Sequence, residues 1–203
     1  EMCIRDSFSL EFSKWWQSEF KTVQFPNKDL VFDYFVSETD AEGAAVPTMC
    51  HWRERVPQYL YAPENDFGKI FVPTVDTSRL TYLLDSLFEN KHYVMFVGNT
   101  GTGKTAIMQS KLSSMDAEEV TQCTVSMNSF TEAWDLQPTL EAPLEKKSGM
   151  RFGPPGSRRL IYFIDDMNMP NKDKYDTQGA IEIVRQYVDY GGWYDKEEIL
   201  LKE

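Results

Sequence analysis

Positive charge is scarce in this sequence: 21 lysines and arginines stand against 32 aspartates and glutamates over 203 residues, for a net charge of −11. A surface of that sign repels phosphate backbones, so nucleic acid is not expected as a general partner and any bound phosphate must be held by a local site. Cysteine is scarcer still. Cys3, Cys50 and Cys123 are odd in number, far apart and without metal-ligand spacing, which speaks against a disulfide framework and fits a reducing compartment. The two histidines, His51 and His92, also lack partners at ligand spacing and are expected to be surface or packing residues. No apolar run is long enough to span a bilayer and no secretory pattern is present, so the expectation is a soluble intracellular chain with no membrane partner. Internal repeats and low-complexity tracts are missing too.

Hydrophobic residues make up 41% and charged residues 26% of the chain. That is enough apolar surface to offset the chain entropy lost on folding, so a packed fold is expected. The length allows one ordinary domain, or one domain with part of a neighbour. The charged ends suggest a fragment, with Glu1 to Ser7 standing apart as non-native sequence.

Phe8, Phe12, Trp15, Trp16 and Phe20 recur at helical spacing and predict a helix with an aromatic face. Its polar face lacks the cation density of a membrane-surface helix, so that stripe is expected to pack on a core or a neighbouring module. From Phe25 to Pro73 the pattern is irregular, with Pro26, Pro47, Pro57, Pro63 and Pro73 interrupting short runs such as Val31–Val36 and Gln58–Tyr61. A helix is expected over Thr77–Phe88, with Leu80, Leu83, Leu84 and Leu87 on one face and Asp76 or Thr77 as its cap. From Tyr93 the predicted order is strand (93–97), glycine-rich turn, helix (105–112) and strand (120–125). A long polar excursion containing Gly153-Pro154-Pro155-Gly156 follows, then a strand (160–164) and a helix (177–190). Alternation of this kind predicts an α/β fold with a parallel sheet covered by helices on both faces.

The turn carries the chemistry. Gly98-Asn99-Thr100-Gly101-Thr102-Gly103-Lys104-Thr105 satisfies G-x-x-x-x-G-K-[ST] in full, between an apolar strand and a helix start. Glycines let the backbone approach phosphate with several N–H groups turned inward, and the helix that follows adds the positive end of its dipole. Lys104 supplies a point charge for the β- and γ-phosphates, and the Thr105 hydroxyl is placed for Mg²⁺. Leu160–Ile164 is an unbroken apolar run ending in Asp165-Asp166, at the carboxyl end of a strand, where ligands of parallel sheets gather. Asp165 is expected to hold Mg²⁺ through water, opposite Thr105. Asp166 occupies the place where a glutamate commonly orients the attacking water; its stem is shorter by one methylene, so ATP binding is better supported than turnover. Met167 and Met169 are read as adaptable packing. Arg158 and Arg159 fit a solvated turn as well as a reach to a neighbouring module's phosphate.

Ile164-Asp165-Asp166-Met167-Asn168-Met169-Pro170, followed by Asp173-Lys174-Tyr175, Thr177-Gln178, Ile181 to Gln186 and Gly191-Gly192-Trp193-Tyr194-Asp195, resembles the third AAA+ module of dynein heavy chains, closest to the axonemal type. Phe25-Pro26, Val31-Phe32-Asp33-Tyr34, Phe71-Val72-Pro73-Thr74 and Tyr82-Leu83-Leu84-Asp85 resemble the entry into that module. Asp176 stands where the family usually has glycine. The resemblance runs from about Phe12 to Asp195. It implies a P-loop NTPase core of the AAA+ type, with an irregular lead-in over 1–68 and a large subdomain over 69–203 that stops before the helical lid. It also implies a regulatory ATPase module of a microtubule-based ciliary motor, with Gly98 to Thr105 as the nucleotide loop, Asp165 on the magnesium side and Asp166 as the hydrolytic acid. Implied partners are neighbouring modules of the same heavy chain, dynein intermediate and light chains, and microtubules; the implied location is the cytoskeleton and ciliary axoneme. The alternative is a non-catalytic module that holds nucleotide to stabilise the ring. A P-loop GTPase is disfavoured, because no Asn-Lys-x-Asp run is present.

Overall fold

A computed structural model describes residues 2–37, 47–60, 70–196 and 200–202, with side chains from Phe8 onward. Glu1, the side chains of residues 2–7, Tyr61 of the Gln58–Tyr61 run, and Pro63 lie outside the described residues. The chain divides into two units, Glu1–His92 and Tyr93–Glu203.

In the first unit, helix α1 (Met2–Glu19) covers a stretch free of proline and glycine. Its buried Ser13 donates to Ser9 O at 2.7 Å and accepts from Val31 N at 3.2 Å, tying the helix to the segment that returns beneath it. Phe12 stacks on Phe32, and Trp16 meets Phe25 edge-on. Phe8, Trp15 and Phe20 remain exposed, so only part of the aromatic stripe is packed within this unit. Val31–Val36 splits into a single 3₁₀ turn (Val31–Asp33) and strand β1 (Tyr34–Ser37), which pairs antiparallel with β2 (Thr48–His51). Buried Tyr34 and Trp52 carry the aromatic packing onward: Tyr34 meets His51, and Trp52 contacts both Phe35 and Tyr82. The Arg55 guanidinium lies 4.5 Å from the centre of the Tyr82 ring, a cation–π contact. His51 is a buried packing residue whose Nδ1 accepts from Arg53 N at 3.0 Å.

Helix α2 (Val75–Glu89) starts two residues before its predicted start. The expected caps, Asp76 and Thr77, are corrected: Thr74 is the N-cap, and its side chain accepts from Thr77 N while Thr77 Oγ1 accepts from Thr74 N, a reciprocal box. Leu84 is buried, whereas Leu83 and Leu87 are exposed.

In the second unit, α3 (Lys104–Ser113) leads to β3 (Val120–Ser126), which pairs in parallel with β6 (Arg159–Asp165) from Val120↔Arg159 to Ser126↔Asp165. Alternation along β3 sends Cys123 and Val125 to one face, where they join Leu136, Leu140, Ala180 and Ile183 of α4 (Ala133–Glu141) and α5 (Gly179–Tyr190). Gln122 points to the other face and donates to Leu112 O of α3 at 2.6 Å. Helices therefore flank both faces of the parallel pair, as the alternating pattern predicts. Within this core Tyr162 donates to Leu140 O at 2.5 Å. Burial, with Cys123, Tyr187 and Glu141 nearby, holds its phenol protonated far above the usual range.

Two expectations are corrected here. Residues 93–97 form no strand and belong to no ladder among the described residues, and Tyr93, Met95 and Val97 are exposed. A strand needs a neighbour for its N–H and C=O groups, and none is described beside this one. For the same reason β6, expected to be buried on both faces, pairs among the described residues with β3 alone, and Phe163 is its one buried side chain.

The polar excursion is ordered rather than loop-like. It contains α4 and a hairpin of β4 (Glu145–Ser148) with β5 (Arg151–Gly153). Pro138 inside α4 cannot donate to Trp134 O, one turn back, and that carbonyl accepts instead from Lys196 Nζ at 2.7 Å. Helix α5 ends at Gly191, whose left-handed φ of 73° lets its N–H return to Tyr187 O at 2.9 Å. The chain then enters β7 (Trp193–Tyr194), paired with β8 (Leu201–Lys202).

Candidate nucleotide site

The loop 98–105 wraps into the first turn of α3. Gly101 and Gly103 take left-handed φ values of 80° and 81°, a region costly for residues with a Cβ. A Cβ at Gly98 would meet Thr102 Oγ1 at 3.4 Å, ordinary van der Waals contact, so the packing within the loop does not itself demand glycine there. Thr102 Oγ1 donates to Asn99 O at 2.9 Å and tightens the turn. Lys104 folds back over the loop, its Nζ donating to Gly98 O at 2.9 Å and Asn99 O at 2.8 Å. An ammonium has three donors, so these contacts leave one for an anion at the loop.

Asp165 ends β6 and is held on three sides. Its Oδ1 accepts from Thr105 Oγ1 at 3.3 Å and from Asp166 N at 3.1 Å, and its carbonyl accepts from Met127 N at 3.0 Å. Thr105 and Asp165 are thus brought together as the motif spacing predicts. One hydroxyl and one carboxylate form a hard, sparse oxygen set, which suits Mg²⁺ that keeps several waters and takes its other ligands from phosphate. The described residues contain no group of three or more His, Cys, Asp or Glu side chains able to hold a metal by themselves.

Asp166 is exposed and sits in left-handed backbone, φ 54°. Its carbonyl accepts from Met169 N at 2.9 Å, closing a turn that leads the chain away from the strand end. Asn171 N donates to Ser129 O at 3.2 Å, which joins this loop to the one after β3. Further along, Asp173 accepts from the Thr177 hydroxyl and from the N–H groups of Thr177 and Tyr175, and these bonds hold its carboxyl below the usual range. Asp176 completes the turn at φ 67°, a left-handed region that favours glycine.

Met127 as the backbone anchor of Asp165, and the carbonyls of Gly98 and Asn99 as the seat of Lys104, are contributions that side-chain motifs could not reveal. Backbone partners leave no mark on residue identity. Arg158 and Arg159 lie at the opposite end of the sheet. Arg159 opens β6 and Asp165 closes it, a separation of about 20 Å at strand rise.

Residues 59–203 match the family described as the P-loop containing dynein motor region. The chain is 60% identical over 196 residues to the dynein beta chain of the flagellar outer arm of Chlamydomonas reinhardtii. It is 44% identical to dynein axonemal heavy chain 9 of Homo sapiens and 42% identical to the ciliary dynein beta chain of Tripneustes gratilla, in both cases over 196 residues. Each alignment covers 97% of this chain and 4% of the relative, so the chain spans a small part of the length of the curated relatives it matches. Family match, identity and a P-loop joined to an acidic strand end agree: the chain belongs to the axonemal dynein heavy chains, within their P-loop AAA motor region.

Proposed function

We propose that this chain is the large part of the third AAA+ module of its heavy chain, and that it binds Mg-ATP and hydrolyses it to regulate the motor. The observation that carries this reading is the 3.3 Å approach of Thr105 Oγ1 to Asp165 Oδ1 beside a complete phosphate loop. Gly98, Asn99, Thr100, Gly101, Thr102 and Gly103 would line the phosphates with backbone N–H groups, with Lys104 donating its remaining N–H as a hydrogen bond to a phosphate oxygen. Thr105 and Asp165 would hold Mg²⁺, which supplies charge neutralisation at the β- and γ-oxygens. Asp166 would accept the proton of the attacking water, its left-handed backbone setting the direction of a short side chain. The heavy chain would act on microtubules in the ciliary or flagellar axoneme, alongside neighbouring modules and dynein intermediate and light chains, with the nucleotide state here gating the principal site.

A second reading, a module that holds nucleotide without turning it over, is favoured by one feature: the hydrolytic position carries aspartate, one methylene shorter than glutamate. Single-site turnover in the intact heavy chain separates the two. Asp166→Asn should abolish hydrolysis at this site, while Asp166→Glu should keep or raise it. Turnover unchanged in the asparagine variant would remove Asp166 from the hydrolytic role, and no turnover at this site in the parent would leave only the structural reading.

A further inference from the structure

The turn that carries Asp166 away from β6 sorts its residues by burial. Asp166, Asn168 and Met169 are exposed, whereas Pro170 is buried and Met167 packs against the core cluster that includes Val125, Ala180 and Ile183. Met169 N closes the turn on Asp166 O, and Asn171 N ties its far end to Ser129 O. Both are backbone bonds, which any residue but proline can supply. Pro170 has no N–H, so its carbonyl is the polar handle on this buried stretch of backbone. Gln178 Nε2 donates to that carbonyl at 2.5 Å, eight residues back along the chain. Gln178 is itself firmly held: it is the N-cap of α5, its own carbonyl accepts from Glu182 N at 3.2 Å, and Ala180 beside it is only 1% exposed. Serine, threonine, aspartate or asparagine at an N-cap would bond the first N–H groups of the helix. Glutamine makes no such bond here, and its amide serves the turn instead.

We infer that Gln178 is a positioning residue for hydrolysis: by gripping the Pro170 carbonyl it fixes the turn that aims Asp166, and it makes that aim follow the seating of α5 in the core. The inference rests on the assignment of Asp166 as the hydrolytic acid. Asp166 sits in left-handed backbone at φ 54°, which a residue with a Cβ keeps only where its surroundings impose it. Nucleotide and metal binding are anchored differently. Lys104 rests on the carbonyls of Gly98 and Asn99, and Asp165 is held by Thr105 and by Met127 N, so neither depends on Pro170. Loss of the Gln178 contact should therefore misdirect the acid and leave the phosphate cradle intact.

Two variants of the intact heavy chain test it. Gln178→Met keeps the length of the side chain and removes the donor, whereas Gln178→Lys returns one. In the methionine variant, turnover at this site should fall about ten- to hundred-fold, the cost of ångström-scale misplacement, with Mg-ATP affinity within about two-fold of the parent. The lysine variant should recover most of the lost turnover. Hydrogen exchange at the Met169 amide should quicken in the methionine variant, while the Met127 and Gly191 amides, bonded to Asp165 O and Tyr187 O, keep the parent rate. Full turnover in the methionine variant, affinity lost in step with turnover, a lysine variant no better than methionine, or faster exchange at Met127 and Gly191 as well would each overturn the inference and leave Asp166 as the acid. A parent that does not turn nucleotide over here would instead remove the hydrolytic reading, and the role of Gln178 with it.

Discussion

The hydroxyl of Thr105, in the first turn of α3, donates to Oδ1 of Asp165, the last residue of β6, at 3.3 Å. The contact joins two motifs sixty residues apart in sequence. Thr105 and Asp165 would hold Mg²⁺ here, Thr105 through its hydroxyl and Asp165 through water, in place of this hydrogen bond. Thr105→Val keeps the shape and removes the oxygen. It should weaken Mg-ATP binding by about 1.5 kcal/mol or more, the usual loss of a bond to a charged group, while Thr105→Ser should stay close to the parent. Titrating nucleotide affinity against Mg²⁺ in the intact heavy chain checks this. A valine variant with undiminished Mg²⁺ dependence would remove Thr105 from the metal site.

Lys104 presents a different case because its resting contacts are to backbone. With two of its protons held by Gly98 O and Asn99 O, the ammonium is fixed over the loop before any ligand arrives, and little side-chain freedom remains to be lost on binding. Lys104→Ala should therefore lower Mg-ATP affinity by roughly ten- to hundred-fold, the equivalent of a charged hydrogen bond of about 1.5–3 kcal/mol. Calorimetry measures it directly, and an unchanged affinity would mean that phosphate is held elsewhere.

These residues were legible in the sequence because their chemistry is local: a phosphate loop needs glycine, lysine and a hydroxyl within eight positions, and chance rarely supplies all three. The β–α alternation was readable for the same reason. What stayed hidden depends on distant partners. Tyr93-Val94-Met95-Phe96-Val97 has the composition of a central strand, yet composition cannot say whether a neighbour is present to pair with it. Helix α4 escaped notice because Pro138 sits in it, and the Lys196 bond that compensates lies sixty-two residues away. The capping of α2 by Thr74 was obscured because several candidate caps crowd the same turn.

The Asp173 loop yields a pH prediction. Its carboxyl is held below the usual range by the Thr177 hydroxyl and by the N–H groups of Thr177 and Tyr175. A folded pKa below the unfolded one means that the contribution is fully present above the unfolded value, about 3.9 for aspartate. It is lost as pH falls through the folded value. Hydrogen-exchange protection of the Tyr175 and Thr177 amides, relative to the unstructured rate at each pH, should hold down to the ordinary carboxylate range and fall only below it. Asp173→Asn should quicken both at neutral pH, and equal protection in that variant would show that the loop is held by other contacts.

Glu141 is an acceptor shared by three side chains of the second unit. Its oxygens take bonds from Gln137 at 2.8 Å, Trp193 Nε1 at 2.8 Å and Lys202 Nζ at 3.1 Å, linking α4 to β7 and β8. Burial raises its carboxyl's pKa, but the three donors together outweigh burial and hold it below the usual range. Replacing Glu141 by alanine strands the indole N–H of buried Trp193, whereas the Gln137 amide retains Tyr194 O at 3.2 Å and Lys202 retains Asp195 at 2.6 Å. Leaving a buried donor unpaired costs about 1–3 kcal/mol, and glutamine, which keeps one acceptor, should recover roughly half of that loss. Local hydrogen exchange across α4 and β7, with Trp193 emission as a second probe, should show faster opening in the alanine variant and an intermediate rate in the glutamine variant. If both variants opened at the parent rate, the contacts between α4 and α5 alone would be holding Trp193 in place.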